Sequence, residues 1–375
     1  MGQMELPRVL TKVLGLLVLS IVASVGYAAE SKIGLLFSSY GDIDDPSEAK
    51  DYVIRTLTDP DLIPLPSFLR EKIANVGWSL REGEILAKYR AIGGRTNYRT
   101  VSQKQADAIA AKLRQAGYDV RGYTGFLFTY PFIGEALDRA RRDGVHKVIV
   151  INQGAQNSTV TTGLEFRNVR QYLQEHPDWD VKVTGIRSFA NDRRFFDLLA
   201  QSIQRRLNRS FSSIPARDIC IFLPMHGNLM HWIENGDPSY QQMLDAVQEI
   251  RTRFPSYRVF YGFLNNDDIP IFPWTQPKDS YALRDMVAQG CSQILINGRI
   301  SFTIDSIESL YDQAIVESQL TRDYAREFGY VAPKVTVEPM FNLEPEFIDF
   351  QAQLIKEAIL GHGDLEWLNE GLGER

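Results

Sequence analysis

Short apolar runs rich in Val, Ile and Leu recur along the chain, each followed by a polar loop and a longer stretch of helical periodicity. Such runs stand at Lys32–Phe37, Asp119–Thr124, Lys147–Ile151 and Asp180–Ile186, continuous rather than alternating in KIGLLF and KVIVI. Others stand at Asp218–Met225, Tyr257–Phe263, Ser292–Asn297 and Lys334–Pro339, continuous in DICIFLPM and SQILIN. Continuous apolar character marks strands buried on both faces. Between them, Ser102–Ala116, Ile133–Arg142, Tyr240–Phe254 and Ser280–Gln289 gather apolar residues on one helical face, with Gly117 as a stop for the first. Strand alternating with helix predicts parallel sheets with right-handed crossovers. The expected fold class is therefore α/β, as two Rossmann-like lobes. Each would be a four-stranded parallel sheet flanked by helices, with a cleft between the lobes.

Asn, Ser and Pro accumulate in Arg206–Arg217. That places the lobe boundary there, giving a first lobe over residues 30–205 and a second over 206–375. The stretch Gly41–Thr100 holds no strand pattern but carries Pro60, Pro64, Pro66 and apolar Leu62, Ile63, Leu65, Phe68 and Leu69. It reads as helices and a flap: a lid, a lip on a cleft, or a membrane-contacting surface. At the other extreme, Arg8 and Lys12 precede an apolar run from Val13 to Val25, and Gly26-Tyr27-Ala28 fits a small-x-small cleavage rule. Residues 1–29 thus have the layout of a secretory signal peptide, too short for a comfortable membrane span of ~20 residues. The mature chain is expected to begin near Glu30 and to work in the periplasm or another extracytoplasmic space, membrane-anchored if the leader is retained.

Composition narrows the chemistry. A net charge of −6 over 375 residues argues against nucleic-acid binding, which needs a basic face. Two cysteines, Cys220 and Cys291, cannot hold a four-thiolate iron–sulfur cluster or a four-cysteine zinc site. Each precedes or opens an expected strand. In an oxidising compartment they pair if the strands are neighbours; otherwise they are two buried thiols, and the sequence leaves both open.

Ligands of open parallel sheets bind beyond the carboxyl ends of the strands. His226 stands directly after the run CIFLPM, at such an end, and His231 follows on the same loop, in a chain with 5 histidines. A histidine there serves as base, as metal ligand or as a structural hydrogen-bonder. Beyond Asn297, Asp305, Glu308 and Asp312 recur at helical spacing among Ile304, Ile307, Leu310 and Tyr311. Carboxylates among apolar residues have perturbed proton affinity, although acids at a helix N-terminus also suit the dipole. There is no G-x-S-x-G elbow, no phosphate-binding P-loop and no H-E-x-x-H helix, which speaks against a serine hydrolase, a nucleotidase and a zincin.

Several of these segments together resemble the ferrochelatase family. MHGNLMHWIENGDPSY, with His226 leading to Gly236-Asp237-Pro238, is similar to the signature in which a strand ends in a histidine. FTIDSIESLYD resembles the second signature, whose central acid falls on Glu308. KIGLLFSSYGDIDDPSEAKDYVIRTLTDPDLIPLP, YRAIGGRTNYRTVSQKQADAIAAKL, GFLFTYPFIGEALDRARRDGV, the TTG of Thr161–Gly163 and FIDFQAQLI follow in the family's order over nearly the whole mature chain. The resemblance implies insertion of a divalent metal, Fe²⁺ first, into a porphyrin held between two lobes, with release of two protons. It implies His226 and Glu308 as catalytic and metal-binding residues, Asp312 as a second acid passing protons or metal, and Tyr40 as a group approaching the metal and the ring. Phe189, Trp274 and Tyr130 become candidate walls of an apolar pocket that strains the ring. It implies no tightly bound cofactor and no iron–sulfur cluster: porphyrin and metal are substrates. Peripheral membrane contact is a further implied partner.

The chain departs from that pattern at Asn228, Leu229, Ser306, Leu127, Gly154-Ala155 and around Gly262–Asn266. These positions fall in the expected cleft and leave two alternatives beside ferrous insertion. One is a chelatase for another metal or macrocycle. The other is a non-catalytic extracytoplasmic haem, tetrapyrrole or metal carrier derived from a chelatase.

Overall fold

The computed structural model describes residues 32–63, 65–265 and 272–370. The expected leader, residues 1–29, lies outside the described residues. The first sheet contains β1 (Ile33–Ser39), β2 (Val120–Phe126), β3 (Lys147–Asn152) and β4 (Lys182–Ile186), with β9 (Leu365–Trp367) at one edge, in the order β2-β1-β3-β4-β9. The second contains β5 (Ile219–His226), β6 (Arg258–Leu264), β7 (Gln293–Ile296) and β8 (Lys334–Val337), in the order β6-β5-β7-β8. Pairing is parallel throughout except β4–β9. The first sheet thus has a fifth, antiparallel strand that the apolar pattern does not announce. Three residues, Leu-Glu-Trp, are too few to form a run.

The helices are α1 (Ala49–Thr58), α2 (Ser67–Ala91), α3 (Tyr98–Gln115), α4 (Ile133–Arg142), α5 (Thr162–Glu175) and α6 (Arg193–Ser210) on the first half. The second half carries α7 (Met230–Glu234), α8 (Ser239–Arg253), α9 (Asp279–Ala288), α10 (Ser318–Phe328) and α11 (Pro345–Ile359), with a π-helix at Glu308–Glu317. Every residue of β1 is buried, as a central parallel strand covered on both faces requires. Helix α3 lies so close to β2 that a Cβ on Gly122 would sit 2.7 Å from the Ala106 backbone, so only glycine fits there.

The expected boundary at 205/206 falls inside α6, because apolar Ile203 and Leu207 continue its buried face to Ser210. The two sheets also share one core. Phe37 and Ile151 of the first sheet and Ile221 and Leu223 of the second belong to a single cluster completed by Phe195 of α6 and Phe347 of α11. Each such side chain contributes roughly 1.5–3 kcal/mol by burial, so this cluster binds the halves together. Cys220 and Cys291 pair as a disulfide between the starts of neighbouring strands β5 and β7, with Cα atoms 5.8 Å apart. Of the readings open for the expected flap, the structure gives two helices, α1 and α2, packed on each other, with α2 reaching the π-helix.

Candidate active site

The carboxyl ends of β1, β3, β5 and β7 converge on one cavity of about 1060 Å³, counted to its open mouth. β1 delivers Tyr40, Gly41 and Asp42; the β3 loop delivers Gln153, Gly154 and Gln156; β5 delivers His226; and the segment beyond β7 delivers Phe302, Thr303 and Glu308. The rim is stitched across the halves. Asp237 accepts from Ser158 Oγ (2.8 Å) and Thr159 N–H (2.6 Å), Gln156 Nε2 donates to Ile300 O (2.9 Å), and Asn157 N–H donates to Gln242 (2.8 Å). The Gly-Asp-Pro segment of the sequence is therefore a fastener between the halves.

His226 Nδ1 lies 2.7 Å from the Gly227 carbonyl oxygen. A carbonyl only accepts, so Nδ1 carries the proton and Nε2 keeps its lone pair. That leaves Nε2 as the ring's base or metal-binding atom. Glu308 opens the π-helix, and its Oε2 accepts from Ser306 Oγ at 2.6 Å. Hydrogen bonding to i+5 widens this helix and stacks residues four or five apart, so Glu308, Asp312 and Glu317 follow one side of it. Such widened helices favour functional sites. Glu317 is fully buried, and burial first, then Asp279 and Asp312, push its carboxyl well up.

Asp42, which sequence reasoning did not single out, is the second acid on the cavity wall. Burial, then the charge of Glu308, pushes its carboxyl up to about 7. Its partners explain why it is hidden in sequence: Tyr89 is 47 positions away and Ile307 is 265. The Tyr40 ring stands edge-on to Phe128 at 5.1 Å. Burial, then Asp59 and Glu165, hold its hydroxyl well above the ordinary phenol value, so it meets a ligand as a neutral O–H.

Other expected residues lie elsewhere. Asp312 faces a second cavity, bounded by α1, α2 and the start of the π-helix, and pairs with Lys88 Nζ at 3.5 Å. Asp305 precedes the π-helix instead of sharing its acidic side, because it is engaged by Met340 N–H (3.0 Å) and Asn342 Nδ2 (2.7 Å). Phe189 is not a cavity wall. It is 3% exposed and packs edge-on against Phe195 and Phe350 in the shared core. Tyr130 is 59% exposed beside the cis Tyr130–Pro131 bond, where its carbonyl accepts from Arg99. Trp274 pairs by backbone with Leu229 next to the His226 loop and is not part of the lining. His231 is an exposed side chain set against Trp232.

Beneath the cavity floor, the fully buried Glu165 accepts from Ser38 Oγ and Asn152 Nδ2. Burial outweighs those donors and raises its carboxyl from 4.5 to about 7. The folded chain then holds this proton more tightly than the unfolded one, so the stability this group contributes is full below pH 4.5 and is lost as pH rises through 7. The loss attributable to this group is on the order of 3 kcal/mol. Urea titrations of wild type and Glu165→Gln at pH 5 and pH 8 check it. The variant should lose the smaller amount of stability, and equal losses would refute the assignment.

The chain matches the family model Ferrochelatase over residues 32–359. It is 25% identical over 330 residues to the ferrochelatase of Rippkaea orientalis, covering 88% of this chain and 83% of that one. It is 27% identical over 344 residues to ferrochelatase-1, chloroplastic/mitochondrial, of Arabidopsis thaliana, covering 88% and 70%. Among solved structures, SirB from Bacillus subtilis with Fe³⁺ superposes with a TM-score of 0.51 at 11% identity, covering 89% of this chain and 99% of that one, a likeness of fold.

Proposed function

The chain belongs to the ferrochelatase family and is a metal chelatase, and from that premise we propose that it inserts Fe²⁺ into a porphyrin outside the cytoplasm. The observation that carries this reading is the meeting of His226 and Glu308 on the walls of a single cavity at the strand ends. Two pyrrole N–H protons must leave as a dication enters, so the reaction needs two acceptors and a negative charge. His226 Nε2 takes one proton, and the Glu308 carboxylate offers both the second acceptor and the charge that draws the cation inward. Both ring protons are then accounted for, and the metal replaces them at equal charge. Tyr52 borders both the cavity at the strand ends and the apolar second one, lined by Ile43, Val53, Leu57 and Ile85, so a ring whose centre meets His226 and Glu308 can rest an apolar edge there.

Two features support the location. The Cys220–Cys291 disulfide suits an oxidising compartment, and the N-terminal sequence has the layout of a leader. Phe68, Val76 and Leu80 on α2 are 60%, 58% and 80% exposed, an apolar stripe that supports peripheral contact with a bilayer. No described helix is long and apolar enough to cross one. Val76→Asp/Leu80→Asp should lower co-flotation of the chain with lipid vesicles; undiminished flotation would refute the contact.

The deciding assay offers Fe²⁺, Co²⁺ or Zn²⁺ with protoporphyrin or coproporphyrin under anaerobic conditions. Insertion above the uncatalysed rate, fastest with Fe²⁺, is the expected result. Faster insertion of another metal would overturn the iron assignment. Tight porphyrin or haem binding without turnover would leave a carrier in its place.

A further inference from the structure

Asp42 lies where three parts of the chain meet. It follows β1, lines the reaction cavity and is 3% exposed. Its Oδ1 accepts from Tyr89 Oη of α2 at 2.6 Å and from Ile43 N–H at 2.7 Å. Its Oδ2 accepts from Ile307 N–H at 2.9 Å. Ile307 is the residue before Glu308 and the cap position of the π-helix, which has no capping side chain of its own. The first N–H groups of a helix lack partners within it, and an unmet buried donor costs about 1–3 kcal/mol. A carboxylate from the first sheet satisfies this donor and so ties the helix bearing Glu308 to the strand bearing Tyr40.

On the other side of the same helix start, Asp305 is fixed to the 340–342 loop through Met340 N–H and Asn342. The backbone at Ile307 is thus held from both halves. Tyr89 extends the connection to α2, and Tyr52 Oη of α1 donates to Gly41 O at 3.3 Å beside it. The helices covering the second cavity and the acid of the first cavity share one anchor.

We propose that Asp42 is the positioning residue that sets the placement of Glu308 relative to a ring held against Tyr40. The inference rests on the reading of Glu308 as the reacting acid. Asp42 keeps the same distance between the two sides of the cavity through successive turnovers, and it couples the seating of α2 to the readiness of the acid.

The test uses the full, oxidised chain with Asp42→Asn, Ile307→Pro and Glu308→Gln. Asp42→Asn keeps the side-chain shape but loses one acceptor. Ile307→Pro removes the same hydrogen bond from the other partner, at a helix start where proline is tolerated. Both are expected to lower kcat by about 10- to 100-fold, the range for loss of an orienting partner or a small misplacement. Porphyrin affinity, read by fluorescence quenching, should not move. A merely structural role would lower melting temperature without changing kcat of the folded protein. Unchanged kcat in both variants, or porphyrin affinity falling in step with kcat, would overturn the proposal. If Glu308→Gln also retains full turnover, the reading of Glu308 itself fails; if it alone loses turnover, only the role of Asp42 does.

Discussion

Replacing Glu308 with glutamine is expected to slow metal insertion by about two to four orders of magnitude, the usual yield of a positioned acid or base. Glutamine has the same shape, and its amide oxygen can still accept from Ser306 Oγ, now 2.6 Å from the carboxylate. What it cannot do is take a proton or present a negative charge to an incoming dication. The fold and the porphyrin affinity should therefore survive while the chemical step fails. His226→Ala is expected to fail in the same way, since it removes the lone pair that the Gly227 carbonyl leaves available at Nε2. Initial rates of metalloporphyrin formation, with porphyrin binding measured separately by fluorescence, give the comparison. Turnover within a few-fold of wild type in Glu308→Gln would sink the assignment of that residue.

Removing the disulfide should produce the largest change in stability. Cys220 and Cys291 close a loop with a sequence separation of 71, and the chain-entropy model assigns such a crosslink about 4 kcal/mol. Cys220→Ala/Cys291→Ala, or wild type under strong reductant, should therefore unfold at markedly lower urea concentration than the oxidised chain. At temperatures where the variant remains folded, its rate of insertion should be near that of wild type. The bridge sits at the start of β5, whereas His226 is at its end, six residues and about 20 Å along an extended strand. A double variant as stable as the oxidised wild type would mean that the crosslink adds nothing.

The strands were legible in sequence because burial on both faces leaves continuous apolar runs, as KVIVIN in β3 illustrates. Helix α4 coincides with the expected Ile133–Arg142, where charged residues alternate sharply with buried Ile133, Ala136, Leu137 and Ala140. Strand β9 was not legible, since its pairing with β4 is decided by the neighbouring backbone rather than by its own three residues. Nor was the π-helix, whose residues suit an α-helix equally and whose register is settled by packing. The same limit explains the aromatic residues. Phe189 and Tyr130 stand beside strand ends, as pocket walls do, but one turns into a cluster with Phe350 and the other turns to solvent. Asp42 was invisible for the reason that makes it interesting: its partners are supplied by distant segments.

The return of the chain to its first sheet has a consequence for how the molecule comes into being. β9 pairs with β4 at Thr184↔Trp367 through Ile186↔Leu365, and Phe347 of α11 sits in the core shared with β1. The first sheet is thus finished by residues far along the chain from the strand they pair with. Contacts between such distant positions must wait for a large loop to close, which slows folding. Until it closes, the β4 edge of the first sheet stands unpaired, which makes the chain's return the step most open to misassembly.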